Sequence, residues 1–294
     1  QGAGSSVVNP TRLDSTMGVI GNFPLDVVGF EKGYPRVGAG DAAMQNAAVE
    51  LAKKGVPIIG IPATIDNDVA SSEYSIGFDT ALNTALEAID KIRDTSSSHE
   101  RCSVIEVMGR SAGYIAYNVG VGSGAEVILV PEVEYDLEKD VYDVIRKGRD
   151  IGKHHFIVVM AEGCGSAIDM AKNIEEATGI TTRPTVLGYV QRGGRPTVQD
   201  RVIASNMGIK AISLLEHGNV NRFVALENGK ITSVDAFDAV QMTKLCRRFQ
   251  RIAVEIFGMT PRGKLPCTEI HRICAAADGC GQCLHAACGC KQLA

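Results

Sequence analysis

Short apolar runs that end in Gly, Pro or a charged residue constrain the fold of this chain more than any other feature. Each run is four to six residues long and rich in Val and Ile. Runs of this length and composition are typical of strands that are buried on both faces of a sheet. The predicted strands cover residues 56–61, 103–108, 126–130, 156–160 and 223–226.

Amphipathic segments separate these runs and predict helices. In the longest, Ile203, Met207 and Ala211 fall on one side. Asp79 is expected to cap a helix that follows it, since a carboxylate can accept from the first free amides. Helices that alternate with buried strands predict a doubly wound α/β fold. The other predicted helices cover residues 44–54, 111–119, 138–147 and 198–216.

Composition excludes several classes of function. The 294 residues suffice for one large α/β domain or two smaller ones. A net charge of −4 supplies no basic field for nucleic acid or a membrane surface. No apolar run approaches the roughly 18 residues that span a bilayer. Scattered cysteines in the body, Cys102, Cys164 and Cys246, indicate a cytoplasmic protein with free thiols.

The two ends of the chain lack this regular pattern. Residues 1–44 are weakly patterned, and regular structure is expected to begin near Ala42. After Lys244 the periodicity stops, and the tail becomes rich in Cys. Its spacings suit a zinc site, but translation out of frame would also produce such a tail. The metal-type residues of the tail are Cys280, Cys283, His285, Cys288 and Cys290.

Two carboxylates follow the first predicted strand, in the segment PATIDND. Because ligands of open parallel sheets bind where strands end, Asp66 and Asp68 are candidates for chemistry. One can accept a proton from a hydroxyl group, and the other can hold Mg²⁺. The Thr64 hydroxyl can bond a phosphate or a sugar. The alternative is a turn whose polar side chains merely cap the next element.

Arginine and glutamate residues follow later strands. Arg110 comes after a strand-end glycine, Gly109, at the expected start of a helix, where backbone N–H groups and a guanidinium can bind an anion. Glu162 can accept from sugar hydroxyls or cap a helix. Arg183 and Arg192 lie nine residues apart, and a Gly-Gly turn follows Arg192; together they suit a phosphate monoester. Together these residues, with Arg101, describe a site for a doubly phosphorylated reaction partner.

Five segments in this order resemble the bacterial phosphofructokinases, which are 6-phosphofructokinases that use ATP. The similarity runs from about Gly55 to about Thr243. It implies two doubly wound α/β domains of the phosphofructokinase type, with the active site in the cleft between them. The segments are PATIDND, SIGFDTALNTALEAIDKIRDTSSSHER, VIEVMGRSAGYIA, AEG and VLGYVQRGGRPTVQDRVIAS.

The resemblance implies a role for each catalytic candidate. Asp66 is the base for the 1-hydroxyl of fructose 6-phosphate, and Asp68 orders the metal. Thr64 contacts the transferring phosphoryl group, and Arg110 neutralises its charge. This logic agrees with the physical needs of phosphoryl transfer, which are positioning and charge neutralisation.

The resemblance also implies the binding sites. Effector contacts, for a nucleoside diphosphate or phosphoenolpyruvate, fall at Arg93, Glu126 and Lys153. Arg101 and Arg183 reach the 6-phosphate from a neighbouring subunit, which predicts a homotetramer. The sugar phosphate is contacted by Met108, Gly109, Glu162, Arg192 and Tyr189, the last standing where many members have His.

The phosphoryl donor is inferred from Ala63. Pyrophosphate-using members of the family resemble each other in having Lys at this position. A small residue leaves room for a nucleotide, which favours ATP over pyrophosphate as the donor.

The amino-terminal part departs from the family pattern. Its opening strand and Gly-rich phosphate loop are not found, and the nearest counterpart of its magnesium-binding GGDGS segment is GAGDAA. This segment offers Gly40 and Asp41 as nucleotide and metal contacts, although Asp41 lies one residue too far from Asp66. Arg12 is a further nucleotide candidate. A catalytically inactive protein that binds sugar phosphate is therefore an alternative.

Domain boundaries follow from the family, in which the chain passes between two domains and returns. The nucleotide-side domain is predicted to comprise residues 1–77 and 191–241. Residues 78–190 are predicted to form the sugar-phosphate-side domain, and 242–294 an irregular Cys-rich tail.

Overall fold

The computed structural model describes residues 36–242 and Lys244, and it contains two four-stranded sheets. The first has the strand order β1-β2-β7-β8 and the second β4-β5-β3-β6. The strands are β1 (Arg36–Gly40), β2 (Ile58–Pro62), β3 (Cys102–Val107), β4 (Val127–Leu129), β5 (Phe156–Ala161), β6 (Thr182–Val186), β7 (Arg222–Glu227) and β8 (Lys230–Asp235). The helices are α1 (Ala42–Lys53), α2 (Phe78–Ser98), α3 (Tyr114–Ser123), α4 (Asp143–Asp150), α5 (Ala167–Thr178), α6 (Val198–Glu216) and α7 (Ala236–Ala239).

Helices cover both faces of the first sheet, in which β1, β2 and β7 are parallel and β8 is antiparallel. Met207 of α6 packs against Val224 on one face. On the other face, Val49 of α1 packs with Phe223. Gly60 leaves the space that the Phe223 ring occupies, because a Cβ atom on residue 60 would lie 2.4 Å from Phe223 Cδ1. This arrangement is the doubly wound architecture that the alternating pattern predicted.

The second sheet is entirely parallel and also lies between helices. Every residue of its strand β5 is buried, which explains the unbroken apolar run FIVVMA. Helices α2 and α3 contribute Ile89 and Ile115 to the core on one face. The other face packs against α4 and α5 through Ile145 and Ile174.

All five predicted strands are present, with ends shifted by one or two residues, but three further strands were missed. β1 was missed because its sequence, RVGAG, has little apolar character. β6 contains Pro184 and lies at the edge of its sheet, where proline is tolerated. β8 pairs with β7 across Asn228-Gly229, both with positive φ, and this Asn-Gly pair is a hairpin signal in the sequence.

The helix predictions need several corrections. Asp79 does not cap α2, which begins at Phe78 after Gly77, a residue with φ of 100° and no side chain to cap with. The helix predicted over 111–119 begins only at Tyr114. The helix predicted over 138–147 is a π-helical turn, Leu137–Tyr142, followed by α4. The helix over 198–216 was predicted with its observed bounds.

The chain passes between the two sheets twice. It leaves the first sheet after β2, enters the second through α2, and returns between β6 and α6. The domain boundaries at 77/78 and 190/191 stay predictions, and the tail lies outside the described residues apart from Met242 and Lys244. Within the part that the structure describes, no helix is both long enough and apolar enough to cross a bilayer.

Candidate active site

The loop that follows β2 holds both predicted carboxylates. Asp66 is only 4% exposed, and its N–H donates to Thr64 Oγ1 at 3.2 Å. Asn67 adopts a left-handed conformation, with φ of 51°, and its Nδ2 donates to the carbonyl of Glu73. One oxygen each of Asp66 and Asp68 is buried with no hydrogen-bond partner among the described residues. Such atoms favour an incoming cation or donor.

Arg110 joins the two sheets at this loop. Its Nε lies 3.4 Å from Asp66 Oδ2, and its Nη2 lies 3.2 Å from Asp41 Oδ2. The backbone of Arg110 is left-handed, with φ of 53°. Its side chain is 55% exposed, so these ion pairs are accessible to an anionic ligand rather than sealed in a core.

Asp41 reaches the site because β1 pairs in parallel with β2. Gly40 lies opposite Pro62 in the register, so the residues after both strands emerge at the same edge of the sheet. Asp41 also caps α1, as its Oδ1 accepts from the Met44 N–H at 3.0 Å. The longer spacing to Asp66 that the sequence showed therefore does not prevent Asp41 from contacting Arg110.

Burial sets the electrostatics of the loop. It raises the pKa of Asp66 to about 6, and the neighbouring Asp68 adds to the effect, while Arg110 and Arg192 act in the opposite direction. The pKa of Asp68 is also raised, again chiefly by burial. A carboxylate with a pKa near 6 is ionised at neutral pH and still basic enough to take a proton.

Glu162 occupies the backbone N–H groups that were expected to bind an anion. Its Oε1 accepts from Gly109 N–H at 3.1 Å and from Arg110 N–H at 2.5 Å. These two residues lie in a turn, since α3 starts only at Tyr114. The prediction that backbone N–H groups here bind an anion together with the guanidinium is therefore wrong for the N–H groups of Gly109 and Arg110, which already have an acceptor. The Arg110 guanidinium contacts Asp41 and Asp66 instead.

Gln191 is a site residue that sequence reasoning missed. It is 1% exposed; its Oε1 accepts from Met108 N–H at 3.2 Å, and its Nε2 donates to the Gly188 carbonyl. It thereby joins the end of β3 to the turn that carries Tyr189 and Arg192. Its place inside the QRGG segment was the available signal. Tyr189 is 78% exposed, and the Arg192 guanidinium lies 5.2 Å from its ring centre.

The family model for phosphofructokinase matches residues 37–215, which contain this whole arrangement. The chain belongs to the phosphofructokinase family. It is 54% identical over 201 residues to an ATP-dependent 6-phosphofructokinase of Bacillus mycoides strain KBAB4. That alignment covers 68% of this chain and 62% of the relative, so the chain spans less than two thirds of the length of the curated relatives it matches.

Solved phosphofructokinases share the fold. The structure of the enzyme from Saccharomyces cerevisiae matches with a TM-score of 0.63 and 29% identity, covering 70% of this chain and 32% of that one. A pyrophosphate-dependent phosphofructokinase from Marinobacter aquaeolei matches with a TM-score of 0.62 and 26% identity, covering 73% of this chain and 62% of that one.

Two of the predicted phosphofructokinase contacts lie away from this site. Arg101 precedes β3, and Arg183 lies near the start of the neighbouring strand β6. Met108, at the site, follows the opposite end of β3. Arg183 Nη1 contacts the Thr182 carbonyl and lies 3.7 Å from Glu175 Oε2. The structure therefore does not bring Arg101 and Arg183 together with the Asp66 loop in one chain.

Two of the three predicted effector residues contact each other. Lys153 pairs with Glu126, whose other oxygen accepts from the Ile157 N–H at 2.6 Å. Arg93 donates to the carbonyl of Ser123, three residues before Glu126 along the chain.

Two predictions concern segments beyond the part of the chain that the structure describes. Arg12 and the Cys-rich segment lie outside the described residues. Within residues 36–242, no group of three or more His, Cys, Asp or Glu side chains is arranged to hold a metal by itself.

Proposed function

We propose that this chain transfers the γ-phosphoryl group of ATP to the 1-hydroxyl of fructose 6-phosphate in an Mg²⁺-dependent reaction. The observation that carries the proposal is the contact of Arg110 with Asp41 and Asp66, three residues from three loops at the ends of parallel strands. Phosphoryl transfer needs a base, a cation for the transferred group and a metal carboxylate, and this group supplies one of each.

Asp66 is the proposed base. Its pKa of about 6 leaves it ionised at neutral pH, so it can take the proton of the 1-hydroxyl as that oxygen bonds to phosphorus. The left-handed turn at Asn67 and the bond from Asp66 N–H to Thr64 Oγ1 hold the loop. Thr64 is proposed to contact the phosphoryl group.

Arg110 is the proposed cation for the transferred group. In the free protein its guanidinium pairs with Asp41 and Asp66 at 3.2 and 3.4 Å. A phosphoryl group that arrives between these residues would take up the donors of Arg110 in a charge-assisted contact. The cation then neutralises negative charge that develops as the bond to the leaving group breaks.

Asp41 and Asp68 fit the coordination of Mg²⁺. The ion prefers one or two carboxylates together with phosphate oxygens, and Asp68 has a buried oxygen without a hydrogen-bond partner in the described chain. When bound, Mg²⁺ would supply charge neutralisation at the phosphates of ATP. Gly40 and Asp41 are the proposed nucleotide contacts of the described chain, and Arg12 is proposed in addition.

The sugar phosphate is proposed to lie on the second sheet. Arg192 offers its guanidinium, and Tyr189 supplies a phenol beside it. Glu162 retains one carboxylate oxygen beyond its two amide bonds, which can accept from a sugar hydroxyl. Met108 and Gly109 line the same strand end.

Self-association is proposed because Arg101 and Arg183 lie at the far end of β3 and β6. Placed there, they can contribute to the 6-phosphate site of a second copy, as in the homotetramer implied by the family. Arg93, Glu126 and Lys153 are proposed to bind a nucleoside diphosphate or phosphoenolpyruvate. As a glycolytic enzyme, the chain is proposed to act in the cytoplasm.

The choice of ATP rests on relatives rather than on Ala63. Ala63 is 5% exposed and packs with Ile76 and Met207, so its small size does not by itself open space for a nucleotide. The relative with 54% identity is named as ATP-dependent, whereas the pyrophosphate-dependent neighbour is 26% identical. Pyrophosphate is therefore the second donor to test.

The test is a coupled assay of the 294-residue chain with fructose 6-phosphate and Mg²⁺, offering ATP and pyrophosphate in parallel. We expect turnover with ATP and none with Asp66→Asn. Turnover with pyrophosphate alone would reassign the donor. No turnover with either donor, in protein shown to be folded, would overturn the proposal. Calorimetry with fructose 6-phosphate would then test the inactive sugar-phosphate binder.

A further inference from the structure

Asp200, in the first turn of α6, is a buried carboxylate that accepts four hydrogen bonds. It is 2% exposed. Its Oδ1 accepts from the Tyr74 hydroxyl at 2.7 Å and from Gly77 N–H at 2.8 Å. Its Oδ2 accepts from Thr80 N–H at 2.9 Å and from the Thr80 hydroxyl. Burial and the bond to Asp200 raise the pKa of Tyr74, so its hydroxyl keeps the proton that it donates.

These donors come from the place where the chain leaves the first sheet. Tyr74 and Gly77 lie between β2 and α2, and Thr80 lies in the first turn of α2. The return of the chain is tied to the same group, because Thr197 N–H donates to Thr80 Oγ1 at 3.2 Å and Thr197 caps α6. Asp200 and Thr80 therefore fasten both crossings between the sheets at one point.

The hydrogen-bond network extends to the turn that carries Arg192. Thr84, one helical turn after Thr80, donates to the Thr80 carbonyl at 3.0 Å and lies 3.3 Å from the Gly193 carbonyl. Gly194, with φ of 111°, approaches so closely that a Cβ atom would lie 3.1 Å from Thr84 Oγ1. Gly193 directly follows Arg192, so the position of Arg192 depends on the end of α2 that Asp200 holds.

We propose that Asp200 is a positioning residue that fixes the Arg192 turn relative to the Asp66 loop, and so sets where the sugar phosphate lies relative to the base. The inference rests on the proposed function, in which Asp66 serves the reacting hydroxyl and Arg192 the sugar phosphate. Neither oxygen of Asp200 is free for a ligand, because each already accepts two hydrogen bonds. Asp200 therefore acts on the reaction indirectly, by holding the two segments in which the chain passes between the sheets.

Thr80 offers a matched pair of variants for the test. Thr80→Val keeps the shape but removes the hydroxyl that joins Asp200 to Thr197, whereas Thr80→Ser keeps the hydroxyl. Misplacement of substrates by about 1 Å can lower turnover on the order of 100-fold. We expect Thr80→Val to lower kcat at least tenfold while the Kd for fructose 6-phosphate alone changes less than threefold. Thr80→Ser should stay within twofold in both.

Rates are measured at least 15 °C below the unfolding midpoint of each variant, so that loss of folded protein does not enter. Asp200→Asn, where it folds, should show the same split between kcat and Kd. A Thr80→Val protein that is folded and has wild-type kcat would overturn the inference. So would a fall in kcat that Thr80→Ser reproduces, because the hydroxyl would then not be the cause.

Hydrogen exchange gives a readout that does not need activity. Thr80→Val should accelerate exchange in residues 75–84 and in residues 193–198 together, and Thr80→Ser in neither. Acceleration confined to residues 75–84 would refute the coupling of the two crossings. If the wild-type chain lacks phosphoryl transfer but this joint acceleration occurs, the proposed function fails and the positional coupling stands.

Discussion

Replacing Asp66 by Asn is expected to stabilise the folded chain at neutral pH, although it removes the proposed base. Burial is the main cause of the raised pKa of Asp66, from 3.8 to about 6. A raised pKa means that the folded state disfavours the ionised carboxyl. A shift of about two units corresponds to about 3 kcal/mol, since each unit is worth about 1.4 kcal/mol. Asn carries no charge and avoids this cost.

The pH dependence of the stability difference between the variant and the wild type is a second check on its sign. In the wild-type chain, ionised Asp66 lowers the free energy of unfolding at high pH. This loss shrinks as pH falls through about 6, and it is absent below 3.8. The advantage of the Asn variant should therefore be about 3 kcal/mol at pH 8 and about half of that at pH 5. Urea unfolding of both proteins at the two pH values, followed by circular dichroism, measures the difference.

A matched control makes the same substitution at another buried carboxyl. Asp200→Asn should destabilise the chain by about 1–3 kcal/mol, because donors of Tyr74, Gly77 and Thr80 lose an acceptor. An Asp66→Asn protein that is no more stable than the wild type at pH 8 would refute the argument from burial. An advantage that is equal at pH 5 and pH 8 would refute its electrostatic origin.

Three further predictions concern the site and the first sheet. With ATP as donor, kcat/KM for fructose 6-phosphate should fall tenfold per pH unit below about pH 6 as Asp66 of the free protein becomes protonated, and a rate profile from pH 5 to 8 would show it. Arg110→Lys should lower kcat on the order of 100-fold, because Lys cannot contact two groups through a planar fork; steady-state kinetics measure this, and a near-normal kcat would contradict it. Gly60→Ala should lower stability by about 1–3 kcal/mol, because the new Cβ would lie 2.4 Å from Phe223 Cδ1. Thermal unfolding checks this prediction, and an unchanged midpoint would show that the ring can move aside.

The sequence alone predicted the alternating architecture because buried parallel strands leave continuous apolar runs. It did not predict β1, whose RVGAG sequence resembles a loop, and so it left the position of Asp41 unresolved. That position follows from the parallel register of β1 with β2, which no local pattern states. Edge strand β6 was also missed because it has no continuous apolar run, which an exposed strand does not need.

The candidate site was predictable as a set of residue types but not as a set of contacts. Glu162 and Arg110 were both identified, yet the bond between the carboxylate of one and the backbone of the other depends on how two loops meet. Asp200 was passed over because a carboxylate in the first turn of a helix is ordinary in sequence. Only its burial shows that it differs from an ordinary exposed carboxylate in the first turn of a helix.

The double crossing of the chain has a consequence for the order of folding. The second sheet is built from the continuous stretch 102–186, whereas β2 of the first sheet waits for β7, and Asn221 Oδ1 accepts from Ile58 N–H across 163 residues. Closing so long a loop is slow compared with local pairing. During synthesis, the second sheet is expected to resist protease while the first remains sensitive until residue 235 has left the ribosome. The β7–β8 hairpin would thus be the last of the described strands to pair, and its pairing with β2 would complete the first sheet.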